Sequence, residues 1–242
     1  MKRYAKTGAK SRSLPRTVKY VAALVLAAAI LFSAPFALVA AVTAAETVTV
    51  VIDAGHGGAD GGVTGATTGV KESDLNLEMA RVLGEYLESA GFRVVYTRKN
   101  KDDLCGGGGF DKRKDMYKRA EIIKRSAPAA VVSLHMNSFP SSSRRGAQVF
   151  FERSSEEGAA FASVVQDRLN EAFNVPDAGR KFAALSAEKF LLEQSPAPAI
   201  IVECGFLSNP SDEKNLTSPS YRAKFAYEIF KGIAAYLSAQ KI

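Results

Sequence analysis

Apolar and polar residues along 46–242 follow two periods that predict strands and helices in turn. Short apolar runs predict strands at 48–53, 93–97, 129–134, 147–152, 189–192 and 199–203. Apolar residues at the helical period predict helices at 73–90, 111–126, 156–173 and 221–237. Strands that alternate with helices favour a single α/β domain, with a mainly parallel or mixed twisted sheet and helices on both faces.

The first 45 residues have a different pattern. Seven basic residues and no acidic residue lie within 1–20, and no charged residue lies within 21–42. A basic stretch followed by an apolar stretch and small residues is typical of a signal peptide, whose apolar region has about 7–15 residues. The stretch here is also long enough for a membrane anchor, which needs roughly 20 apolar residues. Both alternatives stay open, and both place 46–242 outside the cytoplasm, with membrane contact only through the N-terminal segment.

The charge distribution argues against nucleic-acid binding. The chain has 32 basic and 25 acidic residues, with a net charge of +7. Because seven of the basic residues lie within 1–20, the other 25 balance the 25 acidic ones. The predicted domain is therefore near neutral. It has no basic stripe with interleaved aromatic residues, so the sequence predicts no nucleic-acid partner.

Three predicted strands lead into residues that bind metals or transfer protons. The only two histidines, His56 and His135, follow the strands at 48–53 and 129–134, and Glu203 ends the strand at 199–203. Parallel α/β sheets bind ligands at the carboxyl ends of their strands. We therefore expect the three side chains to meet at one edge of the sheet. Two imidazoles and an acid are the ligand set of a hydrolytic zinc site, in which three protein ligands leave one position for water.

This chemistry leaves the third zinc ligand open. Asp60, Glu72 and Asp74 are the acidic residues that a flexible glycine-rich stretch could bring back to the first histidine. Glu203 could serve as a ligand or as a base. A dinucleotide-binding loop is disfavoured, because Gly55-His56-Gly57-Gly58 does not match the glycine pattern of that motif.

Four separated motifs carry a family resemblance. They are Asp53-Ala-Gly-His56-Gly-Gly, Lys71-Glu72, Ser133-Leu-His135-Met-Asn137-Ser138 and Val202-Glu203-Cys-Gly-Phe206-Leu-Ser-Asn209. In this order, across residues 48–238, they resemble the zinc-dependent N-acetylmuramoyl-L-alanine amidases of the amidase_3 type. The resemblance implies that His56, Glu72 and His135 hold one zinc ion per chain and that Glu203 is the catalytic residue.

The same resemblance implies a reaction and a setting. The reaction is hydrolysis of the amide between the lactyl group of N-acetylmuramic acid and L-alanine in peptidoglycan, by a zinc-activated water. The likeness is greatest to members that build the spore cortex, which implies a role in sporulation through muramic-lactam formation. Asn137, two residues past His135, is the predicted substrate-binding residue. The alternatives are another exported zinc hydrolase of wall polymers, such as a peptidase or a deacetylase, and a non-catalytic wall-binding module.

Access to the site is a further expectation. Some members of this family carry a long inserted helix after the third motif that blocks the zinc. Here 139–146 has only eight residues, and even an isolated helix is marginal below roughly 12–15 residues. We therefore expect an open site. No regulatory protein is specified by the sequence, and the glycine-rich stretch 99–110 is the predicted partner-sensitive element. Thr97-Arg98 and Arg119-Ala120 also look like family positions and are predicted to be structural.

Overall fold

A computed structural model of the chain describes residues 47–106 and 109–240, together with the isolated positions Thr17, Tyr20 and Leu24. The predicted leader, 1–45, therefore falls outside the described residues except at those three positions. Within the described part of the chain, no helix has both the length and the apolar character needed to cross a membrane. The chain from Thr47 onward forms one compact unit.

One mixed sheet forms the centre of this unit. Its strands are β1 (Thr49–Ala54), β2 (Arg93–Tyr96), β3 (Ala130–Asn137), β4 (Gln148–Phe151), β5 (Leu185–Ser186) and β6 (Ala199–Phe206). Their order across the sheet is β2-β1-β3-β6-β4-β5. β2, β1, β3 and β6 run parallel, whereas β4 is antiparallel to β6 and parallel to β5. Because β1, β3 and β6 are covered on both faces, they appear in the sequence as nearly continuous apolar runs.

Helices cover both faces of the sheet. They are α1 (Glu72–Ser89), α2 (Lys112–Ser126), α3 (Glu156–Leu169), α4 (Val175–Ala178), α5 (Phe190–Gln194), α6 (Pro210–Thr217) and α7 (Pro219–Ala239), with a π-helical turn at Asn170–Asn174. Val50 and Ile52 pack against the side of the sheet that bears α1, α3 and α7. Val51 packs on the other side, with α2 and α5. The predicted single α/β domain, with a mixed sheet and helices on both faces, is confirmed.

One local prediction differs from the structure, and one helix was not predicted. The strand predicted at 189–192 is wrong, because α5 covers most of this stretch. A four-residue apolar run is too short for its period to separate a strand from a helix. The unpredicted helix is α6, which Asn209 caps and Pro210 begins. Leu216 is the apolar residue that this helix buries, so no helical period of apolar residues marks it.

Candidate active site

Three chain segments meet at the carboxyl edge of the parallel strands. His56 lies two residues past β1, His135 lies within β3, and Glu72 is the first residue of α1. One ligand atom from each of the three lies within 4.8 Å of the other two. Oε1 of Glu72 is 3.2 Å from Nε2 of His56 and 2.9 Å from Nδ1 of His135. The structure thus brings together the residues that the resemblance implied as metal ligands.

Glu72 is a buried carboxylate with both oxygens engaged. Only 2% of its surface is exposed. The backbone N–H of Val63 donates to Oε2 at 2.8 Å, and that of Met136 donates to Oε1 at 3.0 Å. Burial alone would raise the pKa of this carboxyl, but the bonds and charges of His135 and His56 outweigh it and hold the pKa well below its usual range. Glu72 is therefore ionised and fixed in place, which is the form in which a carboxylate binds a metal.

Two glycines leave the space that the clustered side chains occupy. A Cβ atom at Gly55 would lie 2.2 Å from Cε1 of His135, and one at Gly62 would lie 2.4 Å from Oε2 of Glu72. Any larger residue at either position would push a side chain of the cluster aside. His56 itself has a φ of 63°, in the left-handed region that few residues other than glycine adopt. The turn after β1 is therefore held in an unusual conformation that points the imidazole of His56 at Glu72.

The donor set fits a zinc ion. Two imidazoles and a carboxylate are a known catalytic zinc set, which keeps a fourth position open. The rings of His56 and His135 are nearly perpendicular, with centroids 5.0 Å apart, and each turns a nitrogen toward Glu72. Nδ1 of His56 lies 2.9 Å from Oδ2 of Asp60, although not in hydrogen-bond alignment. A carboxylate behind a ligating imidazole is typical of zinc sites.

Of the acidic residues that follow His56, Glu72 is the one that the geometry favours as the third metal ligand. The carboxylate of Asp74 lies 3.0 Å from the ammonium group of Lys101 and does not belong to the cluster. Asp60 lies beside the far nitrogen of His56. Burial alone lowers the pKa of His56, but Glu72 and Asp60 outweigh burial and raise the pKa above its usual value. A metal at this position would therefore compete with a proton.

Glu203 lies beside the cluster without belonging to it. The register of β3 and β6 pairs Glu203 with His135, so the two side chains lie next to each other on one face of the sheet. Oε2 of Glu203 is buried and has no hydrogen-bond partner within the described ranges. Burial raises the pKa of this carboxyl, and the charge of Glu72 adds to the rise, while His135 opposes it. A buried carboxyl group with a free oxygen is suited to exchange a proton with a bound molecule.

A cavity of about 640 Å³ contains the cluster and Glu203. Its walls also include residues that sequence reasoning did not assign to the site, namely Lys112, Lys189 and Phe190. Asn137 lines the same cavity, and its Oδ1 accepts a hydrogen bond from the N–H of Ser138 at 2.8 Å. Residues 138–147 form a loop with no helix, which agrees with the expected open site.

A buried polar network lies behind the site, and the sequence analysis did not connect it with the site. The carboxylate of Asp53 accepts hydrogen bonds from Arg119 Nη1 at 2.7 Å, Thr97 Oγ1 at 2.6 Å and Ser133 Oγ at 2.6 Å. Burial alone would raise the pKa of Asp53, but Arg119 and the two hydroxyl groups lower it to about 2. The sequence did contain a signal for this network, because a polar residue interrupts each of two apolar runs. These residues are Asp53 in β1 and Ser133 in β3, which the sheet register pairs.

Comparison with known proteins identifies the family to which this chain is similar. Residues 50–235 match the Amidase_3 family, described as N-acetylmuramoyl-L-alanine amidase. The chain is 35% identical to the germination-specific N-acetylmuramoyl-L-alanine amidase of Bacillus subtilis, over 69% of this chain and 71% of that protein. It is 28% identical to the N-acetylmuramoyl-L-alanine amidase LytC of the same organism, over 68% of this chain but only 31% of LytC.

Solved structures agree with the sequence match. The CwlD amidase of Clostridioides difficile, in complex with the GerS lipoprotein, superimposes with a TM-score of 0.75 and 32% identity. The alignment covers 80% of this chain and 100% of CwlD. Because the family match spans most of the compact unit and the fold agrees along it, the chain belongs to the Amidase_3 family of N-acetylmuramoyl-L-alanine amidases.

Proposed function

We propose that this chain hydrolyses the amide bond between the lactyl group of N-acetylmuramic acid and L-alanine in peptidoglycan, using one zinc ion held by His56, Glu72 and His135. The observation that carries the proposal is the meeting of these three donors, in one open cavity, with Glu203, whose buried Oε2 has no hydrogen-bond partner among the described residues. Membership of the amidase family supports the reaction class.

The protein's own groups prepare the site for the metal. A zinc ion bound here would lower the pKa of its water to about 7 and polarise the substrate carbonyl. Glu72 supplies the negative charge of the donor set, and the N–H groups of Val63 and Met136 fix its orientation. An imidazole adds no charge once it binds a metal, so a divalent ion held by His56, His135 and one carboxylate would keep a net positive charge toward the substrate.

Glu203 moves the proton in the proposed reaction. Its free Oε2 takes a proton from the attacking water as the new C–O bond forms at the lactyl carbonyl. The same oxygen then gives the proton to the nitrogen of L-alanine as the C–N bond breaks. A raised pKa suits this task, because the carboxyl group must hold the proton between the two transfers.

Product analysis tests the reaction. The full chain, loaded with zinc, is incubated with purified peptidoglycan, and the products are identified by mass spectrometry. We expect stem peptides with a free amino-terminal L-alanine and muramic acid with a free lactyl carboxyl group. Cleavage between two amino acids would identify a peptidase, and loss of acetyl groups a deacetylase. Binding to the wall with no cleavage would identify a non-catalytic module, and each of these outcomes would overturn the proposal.

Elemental analysis tests the metal donors. We expect one zinc per wild-type chain and loss of zinc in His135→Ala, because only two protein donors would remain. Asp74→Ala is the matched control, since Asp74 pairs with Lys101 and lies outside the cluster. Full zinc occupancy of folded His135→Ala would show that the cluster is not the site.

We also propose that the enzyme acts outside the cytoplasm in building the spore cortex, through muramic-lactam formation. The germination-specific relative and CwlD support this setting. Residues 1–45 are proposed to direct export as a cleaved signal peptide, or as an anchor through 21–42. A reporter fused after residue 46 should appear outside the cytoplasm, and N-terminal sequencing of the mature protein separates the two alternatives. Spores that lack this protein should lack muramic lactam, and unchanged cortex would contradict the role.

A regulatory partner is a separate question. The structure of CwlD in complex with the GerS lipoprotein shows that one member of this family binds a protein partner. The open cavity and the helix-free loop 138–147 nevertheless support cleavage without an activator. We expect the purified, zinc-loaded full chain to cut peptidoglycan alone. A zinc-loaded chain that stays inert until a second protein is added would contradict this expectation.

A further inference from the structure

Two buried arginines hold the backbone of the turn that carries His56. The carbonyl oxygen of Ala54 accepts hydrogen bonds from Arg98 Nε and Arg119 Nη1, both at 2.8 Å. The next carbonyl, of Gly55, accepts from Arg98 Nη2 at 2.9 Å. The carbonyl of His56 accepts from Arg119 Nη2 at 2.6 Å. Two guanidinium groups therefore donate to three consecutive carbonyl groups.

The chain needs these donors because it leaves the sheet at this point. The N–H of Gly55 still donates to the carbonyl of Leu134 at 3.1 Å, but the turn then departs from the ladder of β1 and β3. His56 follows with its φ of 63°, and Gly57 with a φ of 140°. A non-glycine residue stays in the left-handed region only where its surroundings enforce that conformation. Buried carbonyl groups without donors would also oppose it.

Arg98 also connects this turn to the second donor segment. Arg98 Nη2 also donates to the carbonyl of Ser73 at 2.8 Å, and Ser73 directly follows Glu72. Asn76 adds a parallel link, because its Nδ2 donates to the carbonyl of Gly55 at 3.1 Å and to Glu72 Oε1 at 3.4 Å. The spacing between the His56 turn and the start of α1 is therefore set by side chains behind the cluster.

The charge pattern shows that Arg98 is a costly residue to bury. Arg119 lies against the carboxylates of Asp53 and Asp115, each at 2.7 Å. Arg98 has no carboxylate partner in the part of the chain that the structure describes, and its donors go to backbone carbonyls. Burial, with the nearby charge of Arg119, lowers the pKa of Arg98 to about 10. An unpaired buried cation opposes folding, so its placement under the His56 turn points to a role at the site.

We propose that Arg98 and Arg119 are positioning residues that set the metal affinity of the site by holding His56 and Glu72 at ligand spacing. The identity of the metal rests on the proposed function. Lysine cannot take over this role, because one ammonium group lacks the planar fork that reaches several carbonyl groups at once. These two arginines, which the sequence analysis treated as structural, thereby gain a specific place in the site.

Metal affinity is the readout that separates positioning from general stability. Arg98→Lys and Arg119→Lys are compared with wild type in the full chain, by competition for zinc against a chromophoric chelator. Loss of groups that orient metal ligands usually weakens metal affinity about 10–100-fold, and we expect a loss of this size in both variants. With cobalt in place of zinc, we also expect a changed visible absorption spectrum, which reports the ligand geometry.

Arg222→Lys is the matched control. Arg222 is also buried, but it donates to the carbonyl of Leu216 at 2.7 Å and pairs with Glu78, away from the His56 turn and from Ser73. We expect this variant to keep the wild-type zinc affinity and cobalt spectrum even if its melting temperature falls.

Two results would overturn the proposal. One is wild-type zinc affinity and an unchanged cobalt spectrum in folded Arg98→Lys and Arg119→Lys. The other is failure of both variants to fold, which would show that the arginines serve the fold as a whole. A wild-type chain that binds no zinc would instead contradict the proposed function, so the two failures are distinguishable.

Discussion

Replacing Glu203 by glutamine separates proton transfer from folding and from metal binding. Glutamine has the shape of glutamate but takes up no proton at neutral pH. Because Oε2 of Glu203 has no hydrogen-bond partner among the described residues, the change removes no bond of that oxygen from the folded chain. Glu203 also stands outside the cluster of His56, Glu72 and His135. The variant should therefore fold and keep its zinc.

The structure indicates the size and sign of each effect. Burial raises the pKa of Glu203 above its value in the unfolded chain. The folded chain therefore loses stability as the pH rises through that pKa, because the buried carboxyl group must ionise. A neutral amide should therefore leave the melting temperature at neutral pH equal or slightly higher. Loss of a general acid–base group lowers the rate by about 10²–10⁴-fold, which corresponds to roughly 2.7–5.4 kcal/mol of activation free energy.

The assay follows three quantities on one preparation: release of L-alanine amino groups from peptidoglycan, zinc content and melting temperature. Glu193→Gln is the matched control, because Glu193 is an exposed acid of α5 outside the site cavity, and it should keep the wild-type values. A Glu203→Gln variant with a near wild-type rate would refute the proton-transfer role. A variant that loses zinc would show instead that Glu203 is a ligand.

Four other outcomes are expected. Asp53→Asn breaks the buried pair with Arg119 and should lower the free energy of unfolding by about 3–5 kcal/mol, measured by urea denaturation; an unchanged midpoint would contradict this. In the wild type, the pKa of Asp53 falls from 3.8 to about 2 on folding, so its stabilisation of about 2–3 kcal/mol is present above pH 4 and is lost as the pH falls toward 2. Gly55→Ala places a Cβ atom 2.2 Å from His135 Cε1 and should abolish zinc binding, whereas Gly61→Ala meets only the flexible Lys71 side chain at 3.2 Å and should retain it. A chelator should remove activity and added zinc should restore it, and chelator-resistant cleavage would argue against a metal-dependent reaction.

The position of the site was predictable because it follows from the ends of strands. His56 and His135 follow or end apolar runs, and parallel strands bring such ends to one edge of the sheet. Glu203 ends a third run, and the register of β3 and β6 places it beside His135. None of these placements depends on the conformation of the loops. The period of the apolar residues was therefore sufficient to predict where these three side chains lie.

The identity of the third metal ligand depends on the conformation of a loop, which the pattern of apolar residues does not predict. Glu72 reaches His56 only because the intervening loop turns back through glycines such as Gly62, which has a φ of 67°. The chemistry of the residues therefore left Asp60 and Asp74 as alternatives, and only the family resemblance favoured Glu72. Long-range polar contacts were equally hidden, since Arg119 lies 66 residues from Asp53 in the chain.

The proposed function rests on a catalytic zinc ion held by His56, Glu72 and His135. Anomalous diffraction at the zinc absorption edge, from crystals of the zinc-loaded full chain, tests it most directly. The expected result is one strong peak within about 2.0–2.2 Å of one nitrogen from each histidine and one oxygen of Glu72, with a fourth position facing Glu203. A peak at another group of potential ligands, such as Asp103, Cys105 and Asp115, with none at the histidines, would contradict it.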